Sequence, residues 1–280
     1  MFKLKPRAVF KLLRPHNCFF AGIGVLIGAI IASGGIPHFT AGFAFAAAFF
    51  VSGAGYAVND YADRKIDAVN NPKRPIPSGE LTPSDALGIA RILFVLGILS
   101  SAFINLPCLF LAGFNAALLA YYASDLKRRG LIGNITISYL VGSTFLFGAL
   151  VIGSLTAAGI LAAMAGLSTA GRELIKDVED IRGDRKSDSK TFPIRYGKKK
   201  TVGLAIILTI GAIILSPLPY LLGIFGWPYL TIVGAAIGVF IIGMTIIARR
   251  QRKKDAHHAS LAYKIAMGLG LIAFLVGAII

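Results

Sequence analysis

Nine apolar runs recur along this chain, at roughly 16–34, 39–58, 86–104, 107–123, 134–152, 156–172, 201–216, 229–248 and 261–280. A helix that spans a bilayer needs about 20 predominantly apolar residues. A soluble core built from 280 residues has no room for so many such segments. The runs are continuous and do not alternate with polar residues, which excludes a membrane β-barrel. The expected fold is therefore all-α: a polytopic membrane bundle of nine transmembrane helices. Composition agrees, with 56% hydrophobic and 15% charged residues and a mean hydropathy of +0.73.

The charges then test the topology. Net charge is +16, from 29 Lys and Arg against 13 Asp and Glu. In a soluble protein this excess would point to nucleic acid. In a membrane protein it has another origin, because cytoplasmic loops collect Lys and Arg, and no nucleic-acid partner is expected. All the basic residues but Arg91, Arg172 and Lys264 fall in the segments 1–15, 59–85, 124–133, 173–200 and 249–260. The intervening loops at 33–38, 105–107, 153–155 and 216–219 carry no Lys, Arg, Asp or Glu. This alternation predicts a cytoplasmic N-terminus, an external C-terminus and residence in the cell membrane. The basic stretch 1–16 leads into a long apolar run, so it reads as the start of a first span and not as a cleaved signal. Cys18 and Cys108 lie in apolar runs and are expected as buried free thiols.

Two polar stretches interrupt this pattern with chemistry. After the second run, Asn59, Asp63 and Asp67 step by four residues, and on a continuing helix they share one face that Asp60 borders. After the sixth run, Glu173, Asp177, Asp180 and Asp184 step by four, three and four, again one face. Like charges on one stripe repel, so a cation is expected against each. Four runs separate the two stretches, which suggests two four-helix halves of similar plan plus a last helix, all in a single domain over 1–280. Repeated halves in a membrane protein place a site where they meet. Hard oxygen ligands in small number suit Mg²⁺, which shares its shell with substrate phosphates. Arg64, Lys73, Arg74, Lys127 and Arg128 are at hand to contact an anion. Two carboxylate stripes, Mg²⁺ and surrounding cations describe a diphosphate site, and an apolar chamber beneath would take a hydrocarbon tail. That substrate is a prenyl diphosphate. Asn17, a polar residue just inside the first run, needs a partner there.

The sequences Asn59-Asp60-x-x-Asp63-x-x-x-Asp67 and Asp177-x-x-Asp180-x-x-x-Asp184, with Leu13-Arg14-Pro15-His16-Asn17 and Arg74-Pro75-Ile76-Pro77-Ser78-Gly79, resemble the signatures of the UbiA superfamily of intramembrane prenyltransferases. The resemblance extends over essentially the whole chain. Leu131-Ile132-Gly133-Asn134 and the stretch 171–177 are most similar to an archaeal branch that makes ether lipids. The family's tyrosine-to-lysine element has only a loose counterpart here, in Tyr121-Tyr122 and Lys127. The resemblance implies Mg²⁺-dependent transfer of a geranylgeranyl group from geranylgeranyl diphosphate to the free hydroxyl of geranylgeranylglyceryl phosphate, on the cytoplasmic side. It implies metal or diphosphate contacts for Asn59, Asp60, Asp63, Asp67, Asp177, Asp180 and Asp184. Arg14, Asn17, Arg64, Lys73, Arg74, Tyr122, Lys127 and Arg128 are expected to bind substrate, with Arg14 and Lys127 serving the acceptor's phosphate. A cation left by the departing diphosphate would be sheltered by aromatic faces, for which Phe19, Tyr56, Tyr139 and Phe145 are candidates.

Other readings remain open at this stage. An aromatic acceptor, as in quinone or haem biosynthesis, would suit the same donor chemistry. A cation transporter would also use intramembrane carboxylates, but near the bilayer midplane. The single Asp-Gly to Asp run of CDP-alcohol phosphotransferases is absent. His16, His38, His257 and His258 have no ligand spacing. Lys198 to Lys200 and the run from Arg249 to Lys254 read as anchors to anionic headgroups.

Overall fold

The computed structural model describes residues 5–35, 39–152, 155–186 and 189–280, and no strand occurs among them. The expected charge-free loops at 33–38 and 153–155 lie partly outside the described residues, as do His38 and Asp188. The elements are α1 (Pro6–Leu13), α2 (Pro15–Ser33), α3 (Thr40–Asn70), α4 (Pro83–Ala102), α5 (Leu106–Ser124), a 3₁₀ turn (Leu126–Arg128), α6 (Leu131–Leu150), α7 (Thr156–Lys186), α8 (Phe192–Tyr196), α9 (Lys198–Leu215), α10 (Leu218–Leu221), α11 (Trp227–Arg249) and α12 (Lys253–Ile279). Prolines stand in the first turn of α1, α2, α4, α5 and α11, where the missing N–H costs nothing and the fixed φ suits a helix.

Eight segments among the described residues are long and apolar enough to cross a membrane. This is a multi-pass helical membrane protein. The expected span at 156–172 forms the first half of α7 and is not among the eight. It is rich in Ala, Gly and Thr, and the helix runs on into charge. The large apolar side chains turned outward, such as Ile92, Phe110, Ile207, Ile214 and Ile241, give these helices a lipid-facing surface.

Three departures from the expected boundaries matter. Segment 1–15 is not all loop: α1 buries Ala8 and Leu12, one turn apart, against Ala57, Ile76, Leu81, Ala86 and Ala90. The loop between α11 and α12 shrinks to three residues, because Asp255 accepts the Arg252 backbone N–H at 3.3 Å and the Arg252 Nε at 2.7 Å, starting α12 early. Both α3 and α7 continue through the change from apolar to acidic sequence and reach 31 residues each.

Helix packing uses small residues, as expected where lipid gives no hydrophobic drive between helices. α2 lies directly on α6. A Cβ on Gly28 would stand 2.1 Å from the Phe145 carbonyl oxygen, and one on Gly148 1.9 Å from that of Val25. α3 packs along α4 and α7 along α9, while α12 closes against α2, α7 and α11. Several buried polar side chains bond across helices: Tyr229 donates to the Ser216 carbonyl at 2.6 Å, Thr209 bonds Tyr263 at 2.9 Å, and Asn115 Nδ2 donates to Ser143 at 2.9 Å. Cys18 and Cys108 are free and buried.

Candidate active site

The polar ends of α3 and α7 line one cavity of about 1590 Å³. Because α3 stays helical to Asn70, its four-residue steps aim Asn59, Asp63 and Asp67 into this space. The same regularity in α7 brings Glu173, Asp177, Asp180 and Asp184 to it from the other side. Deeper walls are apolar, with Val51, Leu119, Ile137, Val141, Met164 and Phe274. Carboxylates gather at one end and the far end is a hydrocarbon chamber.

Asp63, Asp67, Asp177 and Glu173 each have polar attendants. Lys127 Nζ stands 2.5 Å from Asp63 Oδ2 and 3.2 Å from Asn59 Oδ1, and Asn59 Nδ2 donates to Asp63 at 3.1 Å. Arg74 Nη1 lies 2.5 Å from Asp67, which also accepts from Asn71 Nδ2 at 3.1 Å. The turn that presents Arg74 is fixed by its prolines and by burial of Ile76 and Leu81 against α1, α3 and α4. On the opposite wall Asn134 Nδ2 donates to Asp177 Oδ2 at 2.9 Å. Arg172 and Glu173 pair at 2.8 Å. The polar continuation of α7 lies beyond its apolar half. There burial pushes the Asp177 carboxyl up to about 7, with Asn134 opposing and Asp184, Glu173 and Asp180 adding to the rise. Burial also raises Asp180 and Asp184. A wall of carboxylates held against ionisation is one that a divalent cation would stabilise.

The other expected residues divide. Arg14, Asn17, Tyr122, Lys127 and Arg128 line the cavity, Tyr122 within electrostatic reach of Asp63, Glu173 and Asp177. Asp60 does not line it. It is 2% exposed, takes Arg14 Nη2 at 2.6 Å and Arg74 Nη1 at 3.3 Å, and leaves Oδ2 without a hydrogen-bond partner among the described residues. Arg64 does not reach the cavity either. It donates to the Tyr61 carbonyl at 2.7 Å and stacks 4.3 Å over that ring. Lys73 faces a smaller neighbouring pocket. Of the aromatic candidates, Tyr56 and Phe145 line the cavity, whereas Phe19 and Tyr139 face outward.

The sequence marks Asn134 only through the family resemblance and does not predict its bond to Asp177. A polar residue inside an apolar run was the available signal. Arg172, Lys176 and Lys264 also line the cavity, and nothing in their spacing distinguished them from charges that anchor a helix end. A loop closes over one edge: Lys190 N–H donates to the Arg128 carbonyl at 3.0 Å beside Gly130. Among the described residues no three His, Cys, Asp or Glu side chains gather closely enough to hold a metal by themselves. The donor set fits Mg²⁺ completed by phosphate oxygens, since all its charged ligands are hard carboxylates.

Comparison with known proteins agrees with this arrangement. The UbiA prenyltransferase family matches residues 21–276. A digeranylgeranylglyceryl phosphate synthase of Methanosarcina mazei is 40% identical over 97% of this chain and 98% of its own. A solved structure concerned with digeranylgeranylglyceryl phosphate synthase superposes with a TM-score of 0.83, at 40% identity and covering 98% of both chains. A UbiA homologue from Archaeoglobus fulgidus bound to DMAPP and Mg²⁺ shares the fold at a TM-score of 0.67 and 17% identity, over 96% of this chain and 99% of that one. With nearly its whole length matched and both acidic helices brought to one chamber, the chain belongs to the UbiA prenyltransferase family.

Proposed function

We propose that this protein transfers a geranylgeranyl group from geranylgeranyl diphosphate to the free hydroxyl of geranylgeranylglyceryl phosphate, forming the second ether bond of an archaeal lipid. One observation carries the reading: two acidic helix faces share a cavity whose polar end suits a metal-bound diphosphate and whose apolar depth suits a prenyl chain. The similarity to curated digeranylgeranylglyceryl phosphate synthases supports the choice of acceptor.

In this reading Asn59, Asp63, Asp67, Asp177, Asp180 and Asp184 would hold Mg²⁺ together with the diphosphate. Bound there, Mg²⁺ would neutralise charge that develops on the leaving group. Lys127, Arg74 and Arg128 take the rest of that charge, Arg by a fork and Lys as a point. The bond between the allylic carbon and the diphosphate oxygen breaks, and the acceptor's hydroxyl oxygen forms the new bond to that carbon as its proton passes to the departing diphosphate. Tyr56, Tyr122 and Phe145 face the allylic fragment and keep water from it. An alcohol is a weak nucleophile, yet a carbocation-like centre asks little of it, so no strong general base is required.

The same reading completes the topology. The first half of α7, packed among α2, α6, α9 and α12, is the ninth span. α2 to α5 and α6, α7, α9 and α11 form two equivalent halves, with α12 added, in one domain over 1–280. The charged end faces the cytoplasm, the N-terminus lies inside and the C-terminus outside, in the cell membrane. The test is direct. Purified protein with Mg²⁺, geranylgeranyl diphosphate and geranylgeranylglyceryl phosphate yields a diether phosphate, and removing the metal with EDTA stops it. Turnover with 4-hydroxybenzoate and none with the glycerol lipid would assign the enzyme to an aromatic acceptor instead.

A further inference from the structure

Beside the main cavity, between the end of α1 and the turn after α3, lies a second pocket of about 480 Å³ lined by Lys11, Arg14, Lys73, Arg74, Asn71 and Asp60. Four cations face one carboxylate. Asp60 is buried and grips Arg14 at 2.6 Å and Arg74 at 3.3 Å, so two of the four guanidinium and ammonium groups are fixed in place and not free to swing. Arg14 is also the one non-glycine residue with positive φ among those described, at φ 49° and ψ 61°. A left-handed backbone is strained for Arg, and residues in such conformations cluster where a ligand is held. Here the strain turns the chain from α1 into α2 and delivers the Arg14 guanidinium to Asp60, 5.0 Å over the Tyr56 ring. Lys11 is shared with Glu80 at 2.8 Å. Lys73 is exposed and makes no ion pair among the described residues.

Building on the acceptor reading above, we propose that this pocket is a second anion site that takes the phosphate monoester of the glycerol lipid, apart from the diphosphate in the cavity. Arg14, Asn71 and Arg74 line both spaces, so they form the partition between them. A glycerol with one carbon phosphorylated and one etherified has its free hydroxyl at most two carbons from the phosphate. A phosphate seated beyond the partition therefore leaves that hydroxyl at the cavity side, where the allylic carbon is exposed. Lys127 is engaged by Asp63 and Asn59 across the cavity. It attends the donor, while Lys73, Lys11 and Arg14 attend the acceptor. The pocket is basic and small: beside Pro72 and Pro75 its lining is Lys, Arg, Asn and Asp, which suits a phosphate monoester.

The discriminating residue is Lys73, because it is exposed and its removal leaves the fold intact. In detergent, Lys73→Ala raises the KM for geranylgeranylglyceryl phosphate about tenfold, as loss of one charged hydrogen bond predicts, and leaves the KM for geranylgeranyl diphosphate where it was. Lys73→Arg restores most of the loss. Inorganic phosphate inhibits the wild type competitively against the acceptor and inhibits Lys73→Ala several-fold less. An unchanged acceptor KM in Lys73→Ala, with an active wild type, overturns the assignment. So does a defect seen only in nanodiscs of anionic lipid and absent in neutral ones, which would give the pocket to a bilayer headgroup. If the wild type makes no diether phosphate at all, the acceptor reading itself has failed, and the two failures are told apart.

Discussion

Asp60 and Asp63 are separated by one turn of the same helix and do different work. Asp63 faces the cavity with Lys127 and Asn59, whereas Asp60 is turned behind the wall to hold Arg14 and Arg74. Asp63→Ala and Asp177→Ala are each expected to cut kcat by at least about a thousandfold, since each removes charge that the departing diphosphate depends on. Circular dichroism should show both variants folded. Asn134→Ala is the subtler case. It removes the donor that orients Asp177, and loss of a group that orients a metal ligand costs about 10- to 100-fold. Activity should fall by that amount and recover in part at raised Mg²⁺. The carboxylates were legible in the sequence because helical period alone places i, i+4 and i+8 together. The cations were only half legible: Arg74 and Lys127 reach the acids, but Arg64 folds back on Tyr61. No period governs where a loop side chain turns, so its neighbours in sequence say little about its neighbours in space.

At the scale of elements, eight of the nine expected spans coincide with helices long and apolar enough to cross a membrane, while the segments that join them are less legible. α1 was hidden because eight residues are too few for a recognisable apolar stripe, and its helix is sustained by packing on Ile76 and Leu81. The loop after α7 was equally opaque. Its docking depends on Gly130, whose φ of 66° lies in the left-handed region. A Cβ there would meet the Lys190 carbonyl oxygen at 2.6 Å. Gly130→Ala therefore forces both a strained backbone and a displaced loop, an expected cost of about 1–3 kcal/mol. Lys190 would release the Arg128 carbonyl, and hydrogen exchange at the Lys190 amide should quicken while the helical content holds. Lys199, exposed on the first turn of α9 and outside the cavity, is a control: Lys199→Ala should change turnover less than about twofold, as a headgroup anchor would.

For the molecule as a whole, the cavity exists because two helices come closer than side chains allow. α2 and α6 meet backbone to backbone at Gly28 and Gly148, and each glycine sits against a carbonyl of the opposite helix. This joint sets the distance between the helices that follow, α3 from α2 and α7 from α6, and these carry the two acidic faces. A larger residue at the joint thus acts on the site from within the bilayer, through geometry alone. Gly148→Leu cannot be absorbed by rotation of a neighbouring side chain, since the opposing atom is the Val25 carbonyl oxygen. Overpacking of this kind costs about 1–3 kcal/mol or more. The expected outcome is an apparent melting temperature in detergent lowered by roughly 2–5 °C and a loss of turnover larger than that instability explains. Gly203→Ala on α9, where nothing lies within 4 Å, should leave both unchanged. Measured at a temperature where both variants remain folded, a Gly148→Leu enzyme with wild-type turnover would show that the two acidic faces are not spaced by this joint.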